Sequence, residues 1–290
     1  MSDDSRKLTT KQRRVTDNLE YLISRPTFGI VLGFVLLFLW LPMLVIILFS
    51  FSDSGAINFP PSQYTLDWYI AIFNEEAADV VIRDPFYWDV VYNSFVIGII
   101  SSTAVVVIGL MSGYALNKYD LLGMKLFKSI AILPIIVPLI VTAIGMVVFF
   151  SMVNIELGMG TTILGHIIYA FPFGVIVITS AMAKIDPSVE EAARDLGSTN
   201  YRVFRKIILP SILPSVAATW LLVFTLSLNE FVITFFVSGP FVETLPLWIF
   251  DQLRSGIQPL TYSVSALTLY FGLILIFIVH RLIGIQDIRR

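Results

Sequence analysis

The sequence has no cysteine. That absence excludes disulfides, cysteine-bound zinc, iron–sulfur clusters and thiol nucleophiles. Histidine is almost as scarce. His166 and His280 are far apart and cannot form the one-turn histidine pair that binds metal on a helix. Charged residues make up only 14% of the chain, against about 25% in ordinary soluble proteins. The net charge of −2 leaves no basic surface large enough to hold nucleic acid. No G-x-x-x-x-G-K-[ST] phosphate loop occurs, so ATP binding of the usual kind is not expected of this chain. No resident cofactor, no metal centre and no catalytic dyad is expected, which leaves an intramembrane enzyme without chemistry.

Apolar residues are what the chain has in excess, at 57%. Such a composition calls for lipid as solvent. A helix needs roughly 20 apolar residues to span a bilayer. Six runs qualify: Phe28–Phe51, Asn93–Leu116, Leu126–Val153, Thr162–Met182, Ser211–Ser238 and Ser263–Ile283. The first is too long for the core of a secretory signal, and Ser52-Asp53-Ser54 is a poor cleavage site, so it reads as an anchor. The expected fold is an all-α membrane protein with six transmembrane helices. Residues 1–27 form an N-terminal segment, 28–283 the transmembrane body, and 284–290 a short tail.

Lysine and arginine set the expected orientation. Of 19 such residues, only Arg83 and Arg254 fall on one side of the six spans. The rest cluster in the N-terminal tail, before the third span, between spans four and five, and at the C-terminal end. Both termini are therefore expected in the cytoplasm, in a multi-pass membrane arrangement. The long outer loop, Ser52–Tyr92, is acidic and aromatic. It suits either packing at the membrane interface or contact with an extracellular partner.

Within the spans, Gly109-x-x-x-Gly113 predicts close packing of helix backbones. Pro134 and Pro138 predict a bend in span three, and broken spans often line routes through transporters. Glu230 is a carboxylate toward the outer end of span five, with Asn229, Ser227 and Thr225 as polar neighbours. An intramembrane carboxylate reads as functional, here as part of a pathway or gate; the alternative is a structural, hydrogen-bonded role. His166 is expected to cap or pair near the outer start of span four. Thr244, Pro246 and Gly256 predict a short amphipathic helix with Thr244 as its cap. Ile249, Phe250 and Leu253 share one side of it, with Asp251, Gln252 and Ser255 opposite.

One polar interruption, 184–210, is too structured for a connector. Asp186-Pro187 is a helix start. Glu190 and Arg194 are four apart and pair. Gly197 is a stop, and Ser198 or Thr199 caps a second helix carrying Arg202, Arg205 and Lys206. Ala192 and Ala193 leave a smooth side that another protein can approach. A solvated loop of mixed charge is the plainer reading of the same residues.

Glu191-Ala192-Ala193, three residues, Gly197, nine residues, Ile207, one residue, Leu209-Pro210 resembles the EAA motif of bacterial ABC importer permeases, with every fixed position filled. The Asn93-Ser94 start of span two, the Tyr169–Phe173 run and Thr244-Leu245-Pro246 look like the spermidine/putrescine branch of that family. The chain departs from that branch at Asn229-Glu230, where an acidic pair is common. The resemblance implies that the hairpin is a coupling helix docking on cytoplasmic ATP-binding subunits through Glu191, Ala192, Ala193, Gly197, Ile207, Leu209 and Pro210. It further implies a bacterial inner-membrane location, a second homologous permease subunit and an external substrate-binding protein docking on the 52–92 loop and the 244–256 helix. Glu230, Asn229 and Ser227 are the expected pathway residues, and the electrostatics suit a cation such as putrescine or spermidine. Phosphonates, amino-acid-derived compounds and ferric iron are alternative solutes. An ion-gradient-driven transporter is the rival mechanism.

Overall fold

A computed structural model describes residues 25–53, 59–74, 87–119, 123–256 and 258–288. The basic tail before Arg25, the Glu75, Glu76, Asp79, Arg83 and Asp84 part of the long loop, and Arg289–Arg290 lie outside them. The described residues are helical, apart from short turns and an isolated antiparallel bridge between Ser52 and Tyr64.

Two compact units divide the chain. The smaller holds α1 (Arg25–Phe49), α2 (Asp67–Phe73) and the start of α12 (Pro259–Ile288). Every residue of α1 from Phe28 to Val45 is exposed although nearly all are apolar. A helix apolar on all sides is suited to lipid surroundings. Its end is tied down by polar contacts. Ser263 donates to the Ser50 carbonyl at 2.9 Å, the Tyr69 hydroxyl to Ser50 Oγ at 2.7 Å, and the Trp68 indole to the Ser52 carbonyl at 3.0 Å.

The larger unit is built on α3 (Tyr87–Lys118), α6 (Met159–Met182) and α9 (Leu209–Leu228). Glycine brings α3 and α6 together, as the small-residue spacing predicts. A Cβ on Gly174 would stand 2.4 Å from Val105 Cγ1, and one on Gly109 would meet Ile178 at 2.9 Å. With Val105 and Ala170, Val223 of α9 closes a buried cluster. Phe224 of α9 packs edge-on against Phe95 of α3, ring centres 5.7 Å apart. The Trp220 indole donates to Thr103 Oγ1 at 3.0 Å.

Among the described residues, five helical segments are long and apolar enough to cross a membrane: 28–49, 88–118, 159–182, 200–228 and 259–278. A sixth crossing comes from α4 (Met124–Ile136) and α5 (Leu139–Met152) taken as one broken span. The prolines do more here than bend. Val137 turns extended before Pro138, as pre-proline sterics favour, and the two helices diverge by 108°. The bend expected within Leu126–Val153 is thus a complete break between two helices.

Span five also differs from its expected extent of Ser211–Ser238. α9 ends at Leu228, and a separate α10 (Val232–Val237) follows the break. α10 packs on α5, where Ala143, Met146, Phe150, Ile233 and Val237 form one buried cluster. Beyond it, α11 (Leu245–Ser255) is the expected short helix, with Gly256 at φ +116° ending it. Its start departs from expectation. The Thr244 side chain makes no cap bond. Instead Ser94 Oγ accepts from Leu245 N at 2.7 Å, and the Asn93 amide donates to the Glu243 carbonyl at 3.0 Å. The buried face of α11 centres on Trp248, while Leu253, expected on the apolar side, is exposed. The helix is oriented by what it packs on rather than by its own amphipathic pattern.

Candidate functional site

The polar interruption folds as a helical hairpin at the end of the larger unit where α3 and α6 finish. Its first helix is α7 (Pro187–Asp195). Asp186 caps it, accepting from Ser188 N at 2.9 Å. That bond holds the Asp186 carboxyl below its usual range. Gly197 takes φ +80°, a left-handed turn that glycine adopts without a Cβ penalty. Thr199 then caps α8 (Asn200–Val203). A π-helical turn, Phe204–Ile208, joins α8 to α9, so the hairpin's second arm runs unbroken into a span.

The hairpin has an apolar inner face. Val203, Ile208 and Ile212 pack with Val106 of α3 and with Ile178 and Met182 of α6. Ala193 and Ile207 lie partly buried against the same cluster. Glu191, Ala192, Gly197 and Pro210 are exposed, and Leu209 is half-buried. The motif residues therefore separate by role: Ala193 and Ile207 seat the hairpin, while Glu191, Ala192 and Gly197 face outward. Two neighbours not singled out by sequence join the outward face. Leu196 is 88% exposed and Tyr201 69%. Large apolar side chains that far into solvent on a polar hairpin suit contact with another protein. The available signal was Leu196 standing just before a helix-stopping glycine. Beside the hairpin, an apolar groove of about 460 Å³ runs along α3, lined by residues including Met111, Tyr114, Tyr201 and Phe204.

Glu190 behaves unlike the motif. It is only 7% exposed and forms an ion pair with Lys118, the last residue of α3. Its expected partner Arg194 is also in place, Nη2 to Oε2 at 3.4 Å.

The second candidate region is the break between α9 and α10. Glu230 is 4% exposed. Its carboxylate accepts from Ile233 N at 2.8 Å and Thr234 N at 3.0 Å, the free amides at the start of α10. A carboxylate at a helix start satisfies orphan donors and meets the positive end of the helix dipole. His166, 1% exposed, sits across from it on α6. The imidazole Nδ1 lies 2.6 Å from Ser227 Oγ and Nε2 lies 2.9 Å from Thr234 Oγ1. Thr234 Oγ1 is also 3.3 Å from Glu230 Oε2. If Thr234 donates to the carboxylate, it accepts from His166 Nε2–H, and Ser227 donates to Nδ1. That assignment satisfies every group with a neutral ring.

Of the three residues expected to line a pathway, Ser227 and Glu230 meet around His166 in a buried network. Asn229 is exposed and donates to the Thr225 carbonyl at 2.8 Å. His166, expected to cap or pair near the outer start of span four, pairs from a buried position on α6 with the break. Thr234 completes the network and gave no sequence signal. Among the described residues, no group of three or more His, Asp or Glu side chains could hold a metal ion.

A broken-span helical unit, a capped hairpin interrupting the spans, and a filled motif across that hairpin define a membrane permease component. The chain belongs to the family of binding-protein-dependent transport system inner membrane components, which it matches over residues 105–288. It is 31% identical over 240 residues to the spermidine/putrescine transport system permease protein PotC of Escherichia coli K12, covering 82% of this chain and 87% of that one. It is also 31% identical over 247 residues to the putrescine transport system permease protein PotI of the same strain, covering 83% and 84%. The fold matches a crystal structure of a bacterial ABC transporter that imports alginate, with TM-score 0.62, 17% identity and coverage of 97% of this chain and 98% of that one. The inward-facing MetNI methionine ABC transporter matches with TM-score 0.58, 20% identity and coverage of 71% and 99%.

Proposed function

We propose that this chain is a permease subunit of an ATP-driven, binding-protein-dependent importer of a polyamine such as putrescine or spermidine. The hairpin faces the cytoplasm with both chain termini, and a separate ATP-binding subunit docks on its outward face. A second, homologous permease completes the translocation path, and an external binding protein delivers solute to the opposite side. ATP hydrolysis belongs to the partner, since this sequence has no phosphate loop.

The observation that carries the docking role is the arrangement of the motif. Glu191, Ala192 and Gly197 are presented outward on a hairpin whose inner face is packed into two spans. A force applied to such an element reaches the spans through packed contacts rather than through a loose loop. The polyamine assignment is supported by the names of the relatives. It does not depend on Glu230, whose carboxylate is buried and used by backbone amides.

The docking test is substitution on the outward face. Ala192→Asp or Gly197→Asp should leave the protein in the membrane while the ATP-binding subunit no longer co-purifies and uptake stops. Normal co-purification and uptake in both variants would overturn the assignment. Uptake that survives ATP depletion but collapses with an ion gradient would favour the rival mechanism. Thermal-shift screening of the partner binding protein against putrescine, spermidine, a phosphonate and ferric iron tests the solute.

A further inference from the structure

We infer that Glu190 is a positioning residue that clamps the coupling hairpin to the end of α3, so that motion of the hairpin is delivered to that span. This rests on the proposed docking of an ATP-binding subunit at the hairpin.

Nine charged side chains lie in 184–210, and Glu190 alone among them is buried. Glu191 beside it points outward. Burying a carboxylate is costly unless it is paired, and Glu190 is paired twice, with Lys118 of α3 and Arg194 of its own helix. The links continue in both directions. Arg194 Nε donates to Asn200 Oδ1 at 3.3 Å, across the Gly197 turn to α8. On the other side Asn117, next to Lys118, donates to the Thr179 carbonyl of α6 at 3.2 Å. A polar chain thus runs from α6 through the end of α3 to both arms of the hairpin. Apolar packing lies directly beneath it. Contacts of that kind hold the hairpin in place but permit sliding. The ion pair fixes one point of α7 to the last residue of α3.

The lack of cysteine makes a direct test simple. Lys118→Gln and Glu190→Gln are made separately, together with the exchange Lys118→Glu/Glu190→Lys. Each is assembled with its partner subunits in proteoliposomes. Solute taken up per ATP hydrolysed and the amount of ATP-binding subunit retained are both measured. The single variants should keep the ATP-binding subunit and keep hydrolysing, with solute per ATP reduced at least tenfold. The exchange should restore the ratio to within threefold of native. In a third variant, Lys118→Cys/Glu190→Cys, a short bifunctional thiol reagent replaces the ion pair with a covalent bridge. The bridged complex should transport with the native ratio, because a clamp stays closed throughout the cycle.

Native solute per ATP in the singles would overturn the inference, and so would an exchange as poor as the singles. Loss of the ATP-binding subunit from the singles would make Glu190 an assembly residue and also overturn it. A bridged complex that hydrolyses without transporting would show that the contact must open, and would overturn the inference as well. If native protein shows no ATP-dependent uptake, the importer reading itself fails. The bridging yield then still decides whether the contact exists, because no bridge means no clamp.

Discussion

Replacing Glu230 separates a structural carboxylate from one that handles solute. In Glu230→Ala the amides of Ile233 and Thr234 lose their acceptors, and both residues are fully buried. A buried donor left unpaired costs about 1–3 kcal/mol. Two would cost about 2–6 kcal/mol, but removing the carboxylate also removes its own burial penalty. The net loss should be about 2–3 kcal/mol. Glu230→Gln keeps one acceptor oxygen and places an NH₂ against the other donor, and should lose about half as much. Reversible unfolding in mixed micelles, followed by circular dichroism, measures both. Transport by each variant is measured at a temperature where the folded fraction stays high. The structure predicts the stability order native, Gln, Ala, with transport following the folded fraction. Transport abolished in Glu230→Gln at undiminished stability would refute the capping argument and return the carboxylate to the solute path.

Two further outcomes follow from the packing and the caps. Gly174→Val places a Cβ 2.4 Å from Val105 Cγ1, and should destabilise by about 1–3 kcal/mol through overpacking. Gly145→Ala meets nothing within 4 Å and should be near neutral; equal melting temperatures for the two would contradict the α3–α6 contact. The Asp186 cap should fail on acidification. Its carboxyl is held below the ordinary value of 3.8 in the folded hairpin. Its contribution is therefore present above that value and lost as pH falls through the lower, folded one. Amide exchange at Ser188, compared with an Asp186→Asn variant across that window, reads the effect; a difference that does not shrink with falling pH would argue against the cap.

Local signals carried most of what could be read from the residues. Asp186-Pro187, Gly197 and Thr199 act on their own neighbours, and the hairpin begins, turns and restarts at them. Gly109 and Gly113 were legible because close approach in lipid demands small residues. The rest depended on partners distant in sequence. Thr244 has the right identity for a cap, but Ser94, 151 residues along the chain from Leu245, accepts from the Leu245 amide. Glu230 stands out as a charge, yet its role depends on where α9 stops, and nothing beside it marks Leu228 as an end. His166 meets Ser227 and Thr234 only once α6, α9 and α10 are assembled. Glu190 carries the same letter as Glu191. Only helix rotation against α3 distinguishes the buried one from the exposed one.

The π-helical turn at Phe204–Ile208 gives the two arms of the hairpin different mechanical characters. Its closing bond runs from Leu209 N back to the Phe204 carbonyl, one residue wider than in an α-helix. Tightening it to the ordinary spacing would slip the register by one residue, a swivel of about 100° and an advance of about 1.5 Å. The connection into α9 therefore has built-in slack, whereas the proposed route through Lys118 is an ion pair to the last residue of α3. If an ATP-binding subunit docks on the hairpin as proposed, its stroke would pull stiffly on α3 and be taken up as torsion in α9, so that a single push shears the two against each other.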